Sequence, residues 1–220
     1  MKYIALFREH FKKKPVFSIW EVRRFLAKKG ITKNYSRLLV HNLVEKKEIH
    51  RITRGIYTFE NDASVIGFAF SPFYYGLQES LSIRNIWEQE TNPVIITTKK
   101  VRPGVRNIMN TNVLVRRIGR KMFFGFELIR HYNYWLPVSD IEKTLIDFYY
   151  FKETLPKKTL QEMKKKVNRK KIAEYLKKCP KTISVKNIEK DFFGKLKGLG
   201  RFTKKDKLQP FSTKTKTKQP

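Results

Sequence analysis

The chain has 220 residues, with 49 lysines and arginines against 19 acidic residues, a formal net charge of +30 and a sequence pI of about 10.2. An excess that large attracts polyanions, with nucleic acid ahead of a membrane surface, since the longest apolar run, 65–70, is far too short to span a bilayer. The lone cysteine, Cys179, excludes an intrachain disulfide and a multi-cysteine zinc site.

The N-terminal MKYIALFREHFKKK reads as an amphipathic helix over 3–13, with Ile4, Phe7 and Phe11 on one face and Pro15 beyond its end. It lacks the apolar centre of a secretory signal, so a cytoplasmic protein is expected. Ser18 followed by Glu21 has the spacing of a capping box and opens a second helix over 19–29, which stops at Gly30. A third helix opens near Thr32 and runs through SRLLVHNLVEKK. Leu39 and Leu43 pack inward. Arg37 and His41 lie about 200° from Leu39 and face away, joined by Asn34, with Lys33 beside them. EIHRITRGIYTF then reads as a two-stranded hairpin around a Thr-Arg-Gly turn, carrying Arg51 and Arg54.

Residues 1–60 are thus expected to be a winged helix-turn-helix whose third helix enters a DNA major groove while the hairpin meets flanking phosphates. The candidate DNA-binding residues are Lys33, Asn34, Ser36, Arg37, His41, Arg51 and Arg54. Arginine can bridge the two acceptors of guanine, and asparagine can pair with adenine. Duplex DNA is favoured over RNA because Tyr35, Tyr57 and Phe59 read as packing residues rather than a stacking platform. The alternative is a generic three-helix unit with solvated charge, or one that binds protein.

Charge divides the chain. Residues 1–60 hold 15 basic and 5 acidic side chains, 61–151 hold 11 and 8, and 152–220 hold 23 and 6. A balanced middle domain over 61–151 is therefore flanked by basic arms. In the middle, SPFYYGLQESLSIRNIW reads as a helix from Ser71 with Pro72 at its first position. PVIITT reads as a buried strand and VRPGVRN as a turn-rich connection. NVLVRRIG, KMFFGFEL and YNYWLPV read as a sheet, and DIEKTLIDFYYF as a helix capped by Ser139 and Glu142. A basic helical extension is expected over 152–202, from LPKKTLQEMKKKVNRKKIAEYLKKC onward, and a disordered tail over 203–220. The fold class is α+β: a winged helix, a mixed α/β domain and a basic, mainly helical extension.

The order of RGIYTF, YYGLQESLSIRNIW, PVIITTKK, FFGFE and LPVSDIEKTLIDF resembles the AbiEi antitoxin family, the regulator half of type IV toxin–antitoxin systems. The likeness spans roughly residues 15–152. VSDIEKTLID is its most specific piece, although Asp140-Ile141 stands where Ser-Pro is common, and Glu79-Ser80-Leu81 is a second anchor. The resemblance implies a transcriptional regulator that binds operator DNA and represses its own operon. It also implies a second domain that counteracts a nucleotidyltransferase-like toxin of the AbiEii type, in a system associated with phage defence.

Catalytic chemistry is the weaker class. Asp140, Glu142 and Asp147 share one helix with Lys143, a set that would suit an RNA-directed metal enzyme, but carboxylates in a first turn also serve the helix dipole. His10, His41, His50 and His131 have no ligand-type spacing, and GKLKGLGR lacks the order of a phosphate loop. No enzyme activity, metal or cofactor is expected.

Overall fold

Three helices and a small sheet form from the first sixty residues because their apolar side chains recur at helical spacing and then at strand spacing. Helix α1 (Lys2–Phe11) buries Phe7 and Phe11 completely. Strand β1 (Phe17–Ser18) leads straight into α2 (Ile19–Ala27). The capping box is present: the Ser18 side chain accepts from the Glu21 backbone N–H, and the Glu21 carboxylate accepts from the Ser18 backbone N–H at 2.7 Å. Hydrogen bonds from Ser18 and Lys14 hold the Glu21 carboxyl below its ordinary range, outweighing the upward push of burial. Gly30, at φ +72°, lets the chain reverse so that Ile31 N–H reaches Leu26 C=O. Helix α3 (Lys33–Glu45) packs Leu39, Val40 and Leu43 into the same core as Phe7, Phe11, Val22 and Leu26.

Strands β2 (His50–Thr53) and β3 (Ile56–Thr58) turn at Arg54-Gly55, where Gly55 has φ +76°. The sheet order is β1-β3-β2, all antiparallel. The third strand, β1, was not foreseen: its two residues pair with Tyr57 and Ile56, a contact across some forty residues that no local pattern announces.

The larger sheet contains β4 (Phe73–Tyr75), β5 (Val94–Thr97), β6 (Gly104–Ile108), β7 (Thr111–Arg117), β8 (Phe126–His131) and β9 (Tyr134–Ser139). Its order is β6-β7-β5-β4-β9-β8, parallel at β4–β9 and β5–β7 and antiparallel elsewhere. Both faces are covered. Tyr74, Val94 and Ile96 meet α4 (Leu77–Ile83), α5 (Ile141–Phe151), α6 (Lys157–Lys166) and α7 (Arg169–Lys178). Phe73, Tyr75, Ile95 and Val138 meet a 3₁₀ segment over Ala63–Phe70, and Ile52 of the small hairpin joins them. The chain is therefore mixed α+β with two sheets. The computed structural model describes residues 2–87, 89, 91–181, 187, 188 and 190. GKLKGLGR, the tail over 203–220 and most of the expected extension beyond residue 181 lie outside them.

Four expectations change. Ser71–Tyr75 is not the start of a helix. Phe73, Tyr74 and Tyr75 form a strand buried on both faces, and the helix begins only after Gly76. Three consecutive aromatic residues suit a pleated, doubly covered strand better than a helix turn. The VRN of VRPGVRN belongs to β6 rather than to a connection. Asp140, not Ser139, caps α5: its Oδ1 accepts from Lys143 N–H at 2.7 Å, while the Ser139 hydroxyl is spent on Thr144 Oγ1 at 2.7 Å. Finally, 151/152 does not separate two cores. Met163, Ile172 and Leu176 of α6 and α7 are buried beside Leu145, Ile146 and Phe148 of α5, so these helices turn lysines outward and an apolar stripe inward.

The link between the sheets is clasped. Thr58 Oγ1 donates to Pro15 C=O at 2.7 Å, the Tyr134 hydroxyl donates to the Glu60 carboxylate, and His131 Nε2 lies 3.0 Å from Asp62 Oδ2. Partial burial alone would raise the Asp62 carboxyl, but hydrogen bonds from Ser64 and His131 bring it below its ordinary value.

Candidate nucleic-acid interface

Between α2, α3 and the β2–β3 hairpin lies an open cleft of about 390 Å³. Helix α3 contributes Arg37, Val40, His41 and Val44; the hairpin contributes Arg51, Arg54, Gly55 and Tyr57; α2 contributes Ile19 and Arg23. The local folding explains the convergence. At the irregularity in pairing between Arg51 and Thr53, Ile52 packs with the large sheet while Arg51 lines the cleft beside α3. Gly55 brings the hairpin tip within 3.3 Å of Ile19, measured from where a β-carbon would sit, and so closes the cleft against α2.

The cleft is cationic and carries no carboxylate among its lining residues. Two acids of this region are engaged elsewhere: Glu48 with Arg8 at 2.7 Å and Glu21 with Lys14 at 2.7 Å. Four guanidinium groups held on rigid elements, with no acid opposing them, leave a positive potential open to an anion. Phosphate oxygens match guanidinium donors in both charge and geometry.

Of the seven candidate residues, Arg37, His41, Arg51 and Arg54 are exposed and line this cleft together. Asn34 is exposed one turn earlier on the same face of α3, outside the cleft. Lys33 begins the helix; its side chain lies outside the described residues. Ser36 must be removed from the set. It is only 1% exposed and its hydroxyl turns back to Thr32 C=O. At 3.6 residues per turn it stands about 60° from Leu39, which places it on the packed side of the helix. Glu45 also falls on the outer face, in the last turn of α3.

Sequence reading missed Arg23 and its neighbour Trp20. Arg23 lines the cleft with its guanidinium 5.0 Å from the ring of Trp20, a residue 71% exposed. The Arg23 Nε is buried with no hydrogen-bond partner among the described residues. The spacings Ile19–Arg23 and Trp20–Arg23 carried that signal, since both put the side chains on one helical face. Leu38, outside the cleft, stands exposed among the polar residues of α3.

The acidic helix considered for catalysis is packed. Lys143 and Asp147 are both fully buried and paired, and the Tyr74 hydroxyl donates to Asp147 at 2.9 Å. Burial raises the Asp147 carboxyl above its ordinary range despite the nearby ammonium. Burial together with the Asp147 charge raises the Tyr74 hydroxyl. Asp140 accepts from the Tyr175 hydroxyl at 2.7 Å and pairs with Lys171 at 3.0 Å, while Glu142 accepts from the Asn168 backbone N–H at 2.7 Å. Burial and the Asp140 bond push the Tyr175 hydroxyl up to about 12. Asp140 and Glu142 thus bind α7 to α5. Among the described residues no group of three His, Cys, Asp or Glu side chains is placed to hold a metal ion, and no helix is long and apolar enough to cross a membrane.

A second exposed feature lies on the edge strand of the large sheet. Leu128 and Trp135 stand on one face of the β8–β9 hairpin, with Tyr132 at its tip, all three largely uncovered.

Compared with known protein families and with curated proteins, the chain matches none.

Proposed function

We propose that this protein is a double-stranded-DNA-binding transcriptional regulator of the AbiEi antitoxin type, acting in the cytoplasm without catalysis. The cationic cleft between α3 and the β2–β3 hairpin carries the reading: four arginines and a histidine converge where no carboxylate opposes them. The order helix, short strand, helix, helix, two-stranded hairpin supports reading this unit as a winged helix-turn-helix. In that arrangement α3 is the recognition helix, with Asn34, Arg37 and His41 toward base edges, and Arg23, Arg51 and Arg54 toward phosphates. The operator lies upstream of the protein's own reading frame and its occupation represses the operon. The second domain counteracts a nucleotidyltransferase-like toxin of the AbiEii type, and the uncovered Leu128, Trp135 and Tyr132 supply apolar surface of the kind a protein partner buries. The basic stretch from α6 onward adds affinity along the backbone without sequence choice.

The test is a fluorescence-anisotropy titration of the full chain against duplex from its own upstream region and a scrambled duplex of equal composition. Preference for the native duplex is expected, and Arg37→Ala removes it while leaving residual binding to both. Equal affinity of the native protein for the two duplexes overturns the operator reading. Failure to retain either duplex, together with co-purification of an acidic protein, replaces it with a protein-interaction module.

A further inference from the structure

The outer face of α3 holds one residue that neither packing nor charge explains. Leu38 is 54% exposed and touches none of the hydrophobic clusters, although its neighbours Leu39 and Val40 are almost fully buried. An isolated exposed leucine needs no explanation on an ordinary surface. Here its position matters. At about 100° per residue, Arg37, His41, Asn34, Glu45 and Leu38 fall in that order within an arc of about 100°, with Glu45 in the last turn of the helix. Leu38 therefore shares the strip that holds two base-reading side chains.

We infer that Leu38 reads the C5-methyl group of thymine, so that the duplex selected by this protein carries thymine beside the bases contacted by Asn34 and Arg37. The inference rests on the DNA-binding reading of the cleft. Major-groove base edges present donors, acceptors and, on thymine alone among the four bases, an apolar methyl. A guanidinium, an amide and an imidazole cover the polar part of that code on α3. Leu38 is the exposed apolar side chain of this strip, whereas Val44, about 20° from Arg37 on the other side, is half-buried against the core. An apolar contact of this kind gains by removing both surfaces from water, which is worth about four-fold in affinity per methyl buried. It also acts against the alternatives, because a cytosine amino group placed against Leu38 would lose its water without gaining an acceptor.

The experiment begins by selecting a preferred duplex from a random 20-base-pair pool with the full chain. Affinities are then measured at one salt concentration for that duplex and for copies in which single thymines are replaced by deoxyuridine, which removes only the methyl. For the native protein, one such replacement is expected to weaken binding about four-fold. Leu38→Ala is expected to bind the thymine duplex correspondingly less well and to show no response to the replacement. Leu38→Met restores the response, and Arg54→Ala keeps it while weakening every duplex alike. An exposed position makes loss of folding an unsuitable explanation for Leu38→Ala, and circular dichroism checks it. If a duplex is selected but deoxyuridine changes nothing, or changes both proteins equally, the assignment of Leu38 is overturned while the cleft reading stands. If no duplex is selected at all, both fall together.

Discussion

Removing both hairpin arginines separates a phosphate clamp from ordinary surface charge. Arg51 and Arg54 are exposed, line the same cleft and form no ion pair among the described residues, so their guanidinium groups are available to two phosphates. Each phosphate neutralised on duplex DNA contributes about −0.9 to the slope of log affinity against log salt, so the Arg51→Ala/Arg54→Ala pair should flatten that slope by about 1.8. Between 50 and 200 mM salt, the native affinity should then fall about 12-fold more than that of the double variant. The difference in slope, rather than the slope itself, is the readout, because the lysines of α6 and α7 contribute to both proteins equally. Anisotropy titrations of one labelled duplex at five salt concentrations supply it. The loss must also be the same on an unrelated duplex, since phosphate contacts carry no sequence information. An unchanged slope, or a loss confined to one sequence, refutes the placement of the hairpin against the backbone.

Three further outcomes test the structure itself. Lys143→Met leaves Asp147 buried without its ammonium and should cost about 3–5 kcal/mol in chemical denaturation, whereas Lys143→Met/Asp147→Leu should recover most of that loss; equal losses would mean that the pair is not isolated from water. Gly67→Ala would drive a methyl into the Phe73 ring and the Tyr75 hydroxyl, and should cost about 1–3 kcal/mol by overpacking; an unchanged melting temperature would contradict the close approach of the 3₁₀ segment to β4. Asp62 has a folded-state carboxyl held below its ordinary value. Its stabilising contribution is complete above the unfolded value of about 3.9 and is lost as pH falls through the depressed folded value. Asp62→Asn should therefore lower the melting temperature at neutral pH and flatten the acid limb of its pH dependence, and a limb of unchanged steepness would remove Asp62 from that role.

The parts of the molecule that could be read in the sequence are those whose side chains repeat locally. Leu39 and Leu43 fix the buried side of α3, and from them the outward direction of Arg37 and His41 follows. Gly55 marks the hairpin turn, and Ser18 with Glu21 marks the start of α2. What escaped depended on partners distant in the chain. β1 exists only because Tyr57 and Ile56 come alongside it. Phe73–Tyr75 is a strand because β5 and β9 flank it on either side, and nothing within those three residues distinguishes that from a helix entry. Ser36 was misassigned because its polarity outweighed its angular position. Arg23 escaped because nothing within α2 itself sets it apart from its other basic residues. Its role emerges only when the hairpin folds back over Ile19.

The bonds from Glu60 and Asp62 to Tyr134 and His131 give the connection between the sheets no slack. They make it a brace rather than a tether. Because the brace ends on the hairpin that exposes Leu128 and Trp135, a load placed on that hairpin would reach, within a few residues, the segment that leads back to Arg51 and Arg54.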